Sequence, residues 1–191
     1  MKSSAVTPEV IEKAAQGDNG AISTIYRAHV QQIYRYIAYR VGSEEDAEDL
    51  TAEVFVRMVR NIAQYQPTGA PFEAWLYRIA ANCIADFYRK NKQVTQVELM
   101  DNVISDAPHP EQRLLDRQEV DELQSAIRQL QDGEQTILIL RFVERKSHHE
   151  VAEILGKSIS AVKNAQHRAL VKLAALLGKD KVRHYLRGHD D

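Results

Sequence analysis

From Ile22 to Val41 apolar side chains return every three or four residues, at Ile22, Ile25, Tyr26, Val30, Ile33, Ile37 and Val41, and the run closes on Gly42. That spacing is the period of one helix face, and it excludes the strict alternation of a half-buried strand. The same period returns at Leu50, Val54, Met58 and Ile62, at Phe72, Leu76, Ile79, Ala80, Cys83 and Phe87, and at Leu114, Leu115, Val120, Leu123, Ile127 and Leu130. Glycine and proline number only 8 and 5 in 191 residues, so few positions interrupt a helix. The expected fold class is all-α, and with 44% apolar residues the chain can bury one medium core or two small ones.

The punctuation divides the chain. Thr7 reads as an N-cap with Pro8 at the first helical position, and this short helix stops near Gly17. Asp18 caps a second helix. Ser43 or Glu44 starts a third, whose acids lie at its N-terminus, where the helix dipole favours them. "QYQPTGAPFE" breaks the chain, and a fourth helix runs from about Pro71 to Lys90. Between Lys92 and His109 the periodicity fades and "SDAPHPE" brings two prolines, which reads as a linker. The expected organisation is therefore a helical bundle over 1–91, an acidic linker over 92–109, and a second small bundle over 110–191 that opens on Pro110. Fully extended, the linker reaches roughly 60 Å, or about 17 base pairs of duplex at ~3.4 Å each. Beyond it, "QDGEQ" is a further break and "EQTILILRFVER" a compact apolar helix.

Charge is segregated although the net is only -2. Residues 43 to 53 hold six acids and no base, 57 to 92 six bases against two acids, 93 to 122 eight acids against two bases, and 141 to 187 eleven bases against four acids. Basic blocks attract phosphate and acidic blocks repel it or meet a basic partner, so the order suits a chain touching nucleic acid and another macromolecule together. Solvated helix faces are the plainer reading of such blocks. A single cysteine, Cys83, rules out an internal disulfide framework. There is neither an N-terminal apolar core of a signal peptide nor a long apolar run, so no membrane insertion and a cytoplasmic location are expected.

"SHHEVAEILGKSISAVKNAQHRAL", residues 147 to 170, carries the densest information. Ser147 and Glu150 form S-x-x-E, the capping box that pairs two orphan amides reciprocally. Val151, Ile154 and Leu155 face inward, Ala152 admits a close helix, and Gly156 ends the helix in a left-handed conformation. Ser158 caps a second helix with Ile159, Val162, Ala165, Ala169 and Leu173 on its inner side. This is the pattern of a helix-turn-helix, whose second helix enters the major groove by its N-terminal part. The outward residues are then Ser160, Lys163, Asn164 and His167, with Lys157 and Arg168 near phosphate. Asn164 suits adenine, and Lys163 suits guanine or phosphate. A helical hairpin that only packs on other helices shares the same pattern.

Metal binding fits worse. "HHE" lacks the second histidine four positions on that H-E-x-x-H needs; at that spacing from His149 stands Glu153. His148 and His149 point about 100° apart on a helix. His148 at a helix N-terminus is instead placed to donate to a DNA phosphate, and no metal or cofactor is expected.

In the first bundle, "FEAWLYRIAANCIADFYRKNK" interleaves Phe72, Trp75, Tyr77, Phe87 and Tyr88 with Arg78, Arg89 and Lys90. Rings stack on unpaired bases while cations follow the backbone, which is what single-stranded nucleic acid requires. Phe72 and Trp75 are the expected core members, and Tyr77, Arg78, Asn82, Asp86 and Arg89 the expected exposed ones.

"DAEDLTAEVFVRM", "FEAWLYRIAAN" and "HHEVAEILGKSISAVKNAQHRALVKL", in that order around an acidic linker, resemble an extracytoplasmic-function (ECF) sigma factor of bacterial RNA polymerase over about residues 20 to 178. The resemblance implies a protein without catalytic residues that binds core RNA polymerase and directs promoter-specific initiation. Asp49, Ala52, Glu53 and Val56 would lie in the row docking on the clamp coiled coil of the largest subunit. Loop 64 to 71 and the following helix would capture unpaired minus-10 bases, with Asn82 in a base-contacting position and Tyr77, Arg78, Asp86, Arg89 and Lys90 beside it. The helix-turn-helix would read the minus-35 element of promoter DNA, and the acidic linker would enter a basic polymerase channel. An anti-sigma factor covering both bundles is a further implied partner. Ala52 stands where the family often has glutamine, and Ala161 and Ala165 where threonine and arginine are common, so the minus-35 preference is this chain's own. Two other readings remain at this point. A free-standing helix-turn-helix regulator would bind a palindrome without polymerase, and a metal-dependent hydrolase would contain stoichiometric zinc.

Overall fold

The computed structural model describes the backbone of residues 6–94 and 111–185 and the side chains of 6–91 and 118–182. Helices account for almost all of it, and no strand occurs among the described residues. The first half holds α1 (Pro8–Ala15), α2 (Asn19–Ala38), α3 (Glu44–Asn61), a 3-10 turn (Ile62–Gln64) and α4 (Phe72–Val94). The second holds α5 (Glu111–Arg128), α6 (Asp132–Leu138), which continues into a π turn (Ile139–Val143), then α7 (His148–Leu155), α8 (Ile159–Leu177) and α9 (Lys179–Tyr185). Most of the expected linker, Pro110, and the side chains of Leu114 and Leu115 lie outside the described residues.

Local chemistry sets the starts. Thr7, Asp18, Ser43 and Ser158 each accept a backbone N–H of the first turn on their side-chain oxygen. One helix ends earlier than its apolar period suggests: α2 stops at Ala38, although Val41 remains buried. The backbone tightens there, with Arg40 and Val41 N–H both donating to the Ile37 carbonyl, and the Val41 carbonyl accepts from Arg128 Nη1 at 3.2 Å. A continued α-helix would engage that carbonyl internally.

Helices α1 to α4 pack around Ile25, Ile33, Ile37, Val54, Met58, Leu76 and Ile84, all essentially without exposure. Helix α8 is the spine of the second half, touching α5, α6, α7 and α9. Its core is built from Leu138, Ile139, Leu140, Val151, Val162, Ala169 and Leu173. Three residues expected inside are not. Tyr26 is 45% exposed, Val120 42% and Ile159 41%. Ile159 lies at the margin of its apolar stripe, where helical geometry turns the side chain toward the rim, whereas Tyr26 lies within its stripe and packs only edge-on against Phe55 of α3.

The two halves touch. Helix α2 meets the π turn and α4 meets α7. Arg35 donates from Nε and Nη2 to the two carboxylate oxygens of Glu144, each at 2.8 Å. Lys146 Nζ pairs with Glu73 at 2.8 Å, and Arg40, 5% exposed, reaches Asp132 Oδ1 at 2.9 Å.

Candidate nucleic-acid and polymerase interfaces

The capping box at the start of α7 forms in both directions: Ser147 Oγ accepts from Glu150 N–H at 3.2 Å, and Glu150 Oε2 accepts from Ser147 N–H at 2.7 Å. These bonds hold the Glu150 carboxyl below the usual carboxylate range. Gly156 closes α7 with φ 61° and ψ 38°, and Lys157 N–H returns to the Ala152 carbonyl at 2.9 Å. The chain then turns, and Ser158 Oγ accepts from Ala161 N–H at 3.2 Å to start α8. Val151, Ala152 and Ile154 are buried on the α7 side, and Val162, Ala169 and Leu173 on the α8 side.

That packing presents one face of α8 outward. Ser160, Lys163, Asn164, His167 and Arg168 are exposed together, and Lys157 is exposed in the turn before them. His148 is half-buried, and burial, then Arg141 and Lys163, depress its pKa against the opposing hydrogen bond from Gln166. Its ring nitrogens can donate a hydrogen bond to a phosphate. His149 sits 3.4 Å from Glu153, and among the described residues no three metal-ligating side chains come together.

Arg141, which the sequence presents only as one cation in a basic block, is 7% exposed. Its Nε donates to Gln166 Oε1 at 3.0 Å and its Nη1 to the Lys146 carbonyl, tying the π turn to the loop before α7 and to α8. Nothing in local spacing reveals such a brace.

On α4 the expected exposed set divides. Arg78, Asn82, Arg89 and Lys90 are exposed. Tyr77 is not: it is 4% exposed, packed edge-on against Tyr36 with ring centroids 5.1 Å apart, and burial pushes its hydroxyl well above its ordinary pKa. The ring packs on α2 of its own bundle, and Glu144 of the second half lies near enough to raise the hydroxyl pKa further. Tyr77 as folded here is no platform for a base. Asp86 is partly exposed and engaged by Arg57 Nη1 at 3.0 Å and by Arg89 Nη2. Glu53 accepts from Arg57 Nε at 2.7 Å, so Glu53, Arg57, Asp86 and Arg89 form a charged ladder from α3 to α4. Arg57, then Arg89, hold the Asp86 carboxyl below its usual range.

Phe72 and Trp75, expected in the core, are half-buried. With Tyr65 they make an aromatic group, the Tyr65 ring lying 5.1 Å from Phe72 and 4.9 Å from Trp75. Beside it opens a cavity of about 190 Å³ lined by loop 64 to 71 together with Ala74, Trp75 and Arg78. The Tyr65 and Trp75 rings, the Arg78 guanidinium and the Gln64 and Gln66 amides on its wall can stack on and hydrogen-bond a flat polar molecule. Tyr65 itself went unsingled in the sequence; its signal is an aromatic two residues ahead of Pro67 in the loop between two helices.

Along α3, Asp49, Ala52 and Val56 are exposed in a row, with Glu53 held by Arg57 beside them. A largely apolar groove of about 690 Å³ adjoins the row, floored by Phe55 and Met58 and edged by Tyr26, Val56 and Val59. Tyr26 stands edge-on to Phe55 at 4.9 Å. Tyr26 and Val59 extend this surface beyond the four positions expected from sequence.

Comparison with known proteins follows the same division. The family model for Sigma-70 region 2 matches residues 25–94, and that for Sigma-70 region 4 matches 121–173. The ECF RNA polymerase sigma factor BldN of Streptomyces coelicolor is 37% identical over 176 residues, covering 90% of this chain and 66% of BldN, so the chain spans just under two thirds of that relative. The ECF RNA polymerase sigma factor SigD of Mycobacterium tuberculosis is 32% identical over 171 residues, covering 86% of this chain and 80% of SigD. Among solved structures, CnrH, a sigma factor of Cupriavidus metallidurans, in complex with the cytosolic domain of CnrY, superposes with a TM-score of 0.65 at 25% identity, covering 90% of this chain and 97% of CnrH. Matches to both regions in one chain do not favour a free-standing regulator, and no described helix is long and apolar enough to cross a membrane.

Proposed function

Because the chain belongs to the ECF family of RNA polymerase sigma factors, we propose that it binds core RNA polymerase in the cytoplasm and directs initiation at promoters read in two places. The row Asp49, Ala52, Glu53 and Val56, with the adjoining apolar groove, docks on the polymerase clamp. The outward face of α8, Lys157, Ser160, Lys163, Asn164, His167 and Arg168 with His148 beside it, reads the minus-35 duplex. On α4, Arg78, Asn82, Arg89 and Lys90 line the path of the minus-10 strand, and Asp86 orients Arg89. The chain contributes no catalytic residue; phosphodiester chemistry is the polymerase's. Residues 1–91 and 110–191 act as the two reading units across the acidic linker, and an anti-sigma factor is the expected regulatory partner.

The observation that carries this reading is the aromatic cavity of Tyr65, Trp75 and Arg78, with exposed Asn82 one helical turn beyond Arg78 on α4. Duplex DNA hides its bases in the stack, and such a cavity suits a protein that holds one base outside it, which stabilises the open strand. A duplex-only regulator has no use for it. Tyr65→Ala is expected to lower permanganate reactivity of promoter thymines in the complex by about fivefold or more, since stacking contributes ~1–3 kcal/mol per base, and Asn82→Ala is expected to lower it through loss of a hydrogen bond to the captured base. Binding of the minus-35 duplex should stay unchanged. Equal losses in both assays overturn the reading.

A further inference from the structure

Four side chains of alternating charge run from the α3 docking row to the α4 strand path. On α3, Glu53 and Arg57 stand one turn apart, and Arg57 Nε donates to Glu53 Oε1 at 2.7 Å. The same guanidinium reaches across to α4, where Nη1 donates to Asp86 Oδ2 at 3.0 Å. The other oxygen of Asp86, Oδ1, accepts from Arg89 Nη2. Asp86 lies four residues beyond exposed Asn82, and Arg89 three residues further, so all three share one face of α4.

The two middle groups are shared. Arg57 divides its donors between two carboxylates, and Asp86 divides its oxygens between two guanidiniums. The ends are more open than the middle: side-chain exposure is 41% at Glu53 and 71% at Arg89, against 32% at Arg57 and 29% at Asp86. An incoming partner therefore meets the ends first. A cation that takes Glu53 leaves Arg57 to Asp86, and a carboxylate matched more fully by Arg57 holds Arg89 less firmly. A phosphate that takes Arg89 leaves Asp86 to Arg57, and Glu53 is released in turn. Arg57 is the group that most strongly holds the Asp86 carboxyl below its usual range, ahead of Arg89. A planar guanidinium offers donors along two edges, whereas an ammonium is a single point of charge and lacks the second edge.

We propose that Arg57 is a positioning residue that links the two surfaces, so that polymerase contact at Glu53 and strand contact at Arg89 favour one another. The proposal rests on the roles given above to those surfaces and adds the link between them. Such coupling is reciprocal, each partner tightening the other by the same factor. Part-exposed ion pairs set its size at about two- to fivefold.

The test measures the affinity of the full chain for core polymerase, with no DNA present, in a double-mutant cycle between Arg57→Lys and Arg89→Gln. Arg89→Gln alters only the strand side, yet it should tighten polymerase binding about two- to fivefold, because Asp86 then draws Arg57 away from Glu53. In the Arg57→Lys background that gain should disappear. An Arg57 that merely supports the fold would lower affinity by the same factor with or without Arg89→Gln. The reverse arm uses no polymerase: Glu53→Gln should tighten binding of single-stranded oligothymidylate to the free chain about two- to fivefold, and adding Arg57→Lys should abolish the gain. An Arg89→Gln change that leaves polymerase affinity unaltered, or tightens it equally in the Arg57→Lys background, overturns the proposal. A wild-type chain that does not bind core polymerase overturns the functional reading instead, and the reverse arm then decides the link by itself.

Discussion

Gly156→Ala isolates one backbone angle at the turn that places the recognition helix. Gly156 sits at φ 61° and ψ 38°, where a residue with a Cβ is disfavoured by about 1–2 kcal/mol. A Cβ built there meets no atom within 4 Å, so sterics against the rest of the protein add nothing. The bonds that close the turn, from Gly156 and Lys157 N–H to the end of α7, use only backbone atoms and survive the change. The whole cost is therefore the conformational one. Urea unfolding should show a loss of about 1–2 kcal/mol with unchanged slope, and Tm should fall by roughly 4–8 °C per kcal/mol for a domain of this size. Gly156→Asn should recover part of the loss, since asparagine tolerates the left-handed region better. Minus-35 duplex binding below the transition should be unaltered. A neutral or stabilising alanine would show that the turn is not left-handed. A loss above about 3 kcal/mol would show a packing contact the structure lacks.

Lys163→Ala and Asn164→Ala should each relax selection at one or two positions of a randomised minus-35 element, by about 1–3 kcal/mol per base contact; an unchanged selected sequence would rule these residues out as readers. His29 supplies a pH dependence. Its pKa is depressed chiefly by burial, with Glu73 opposing, Lys146 adding to the fall, and Gln32 bonded to Nδ1 at 2.7 Å while Nε2 is buried without a partner. The unfolded chain binds that proton more readily, so stability rises with pH through the window below the ordinary imidazole value of ~6.5 and falls as pH drops across it. His29→Gln should flatten the stability curve in that window, and an equal slope in variant and wild type would remove His29 as its source. Asp86, Glu134 and Glu150 are depressed carboxyls. Their contribution is complete above the usual carboxylate range and is lost only at lower pH, so the two effects separate along the axis.

What was legible in the sequence was mostly local. Thr7, Asp18, Ser43, Ser147 with Glu150, and Ser158 all cap where spacing put them, because a cap involves residues three apart and needs no tertiary information. The outward face of α8 followed from its period. Positions decided by distant partners did not. Tyr77 is covered by Tyr36, 41 residues earlier, and Arg40 reaches Asp132, 92 residues away. Arg141 was hidden for the same reason, its Gln166 partner lying 25 residues on. The cavity at Tyr65 and Trp75 arises from a loop folding back onto α4, which no periodicity records. Tyr26 fits its stripe and still faces out, because the stripe is wider than the surface α3 covers.

The most direct test mixes the purified chain with core polymerase and a library of promoter fragments and maps transcript 5′ ends. One class of start site, preceded by a fixed pair of elements and dependent on both Asn82 and Lys163, is the predicted result. A chain that leaves core polymerase without start-site preference, or binds duplex equally well with no polymerase present, would contradict the account.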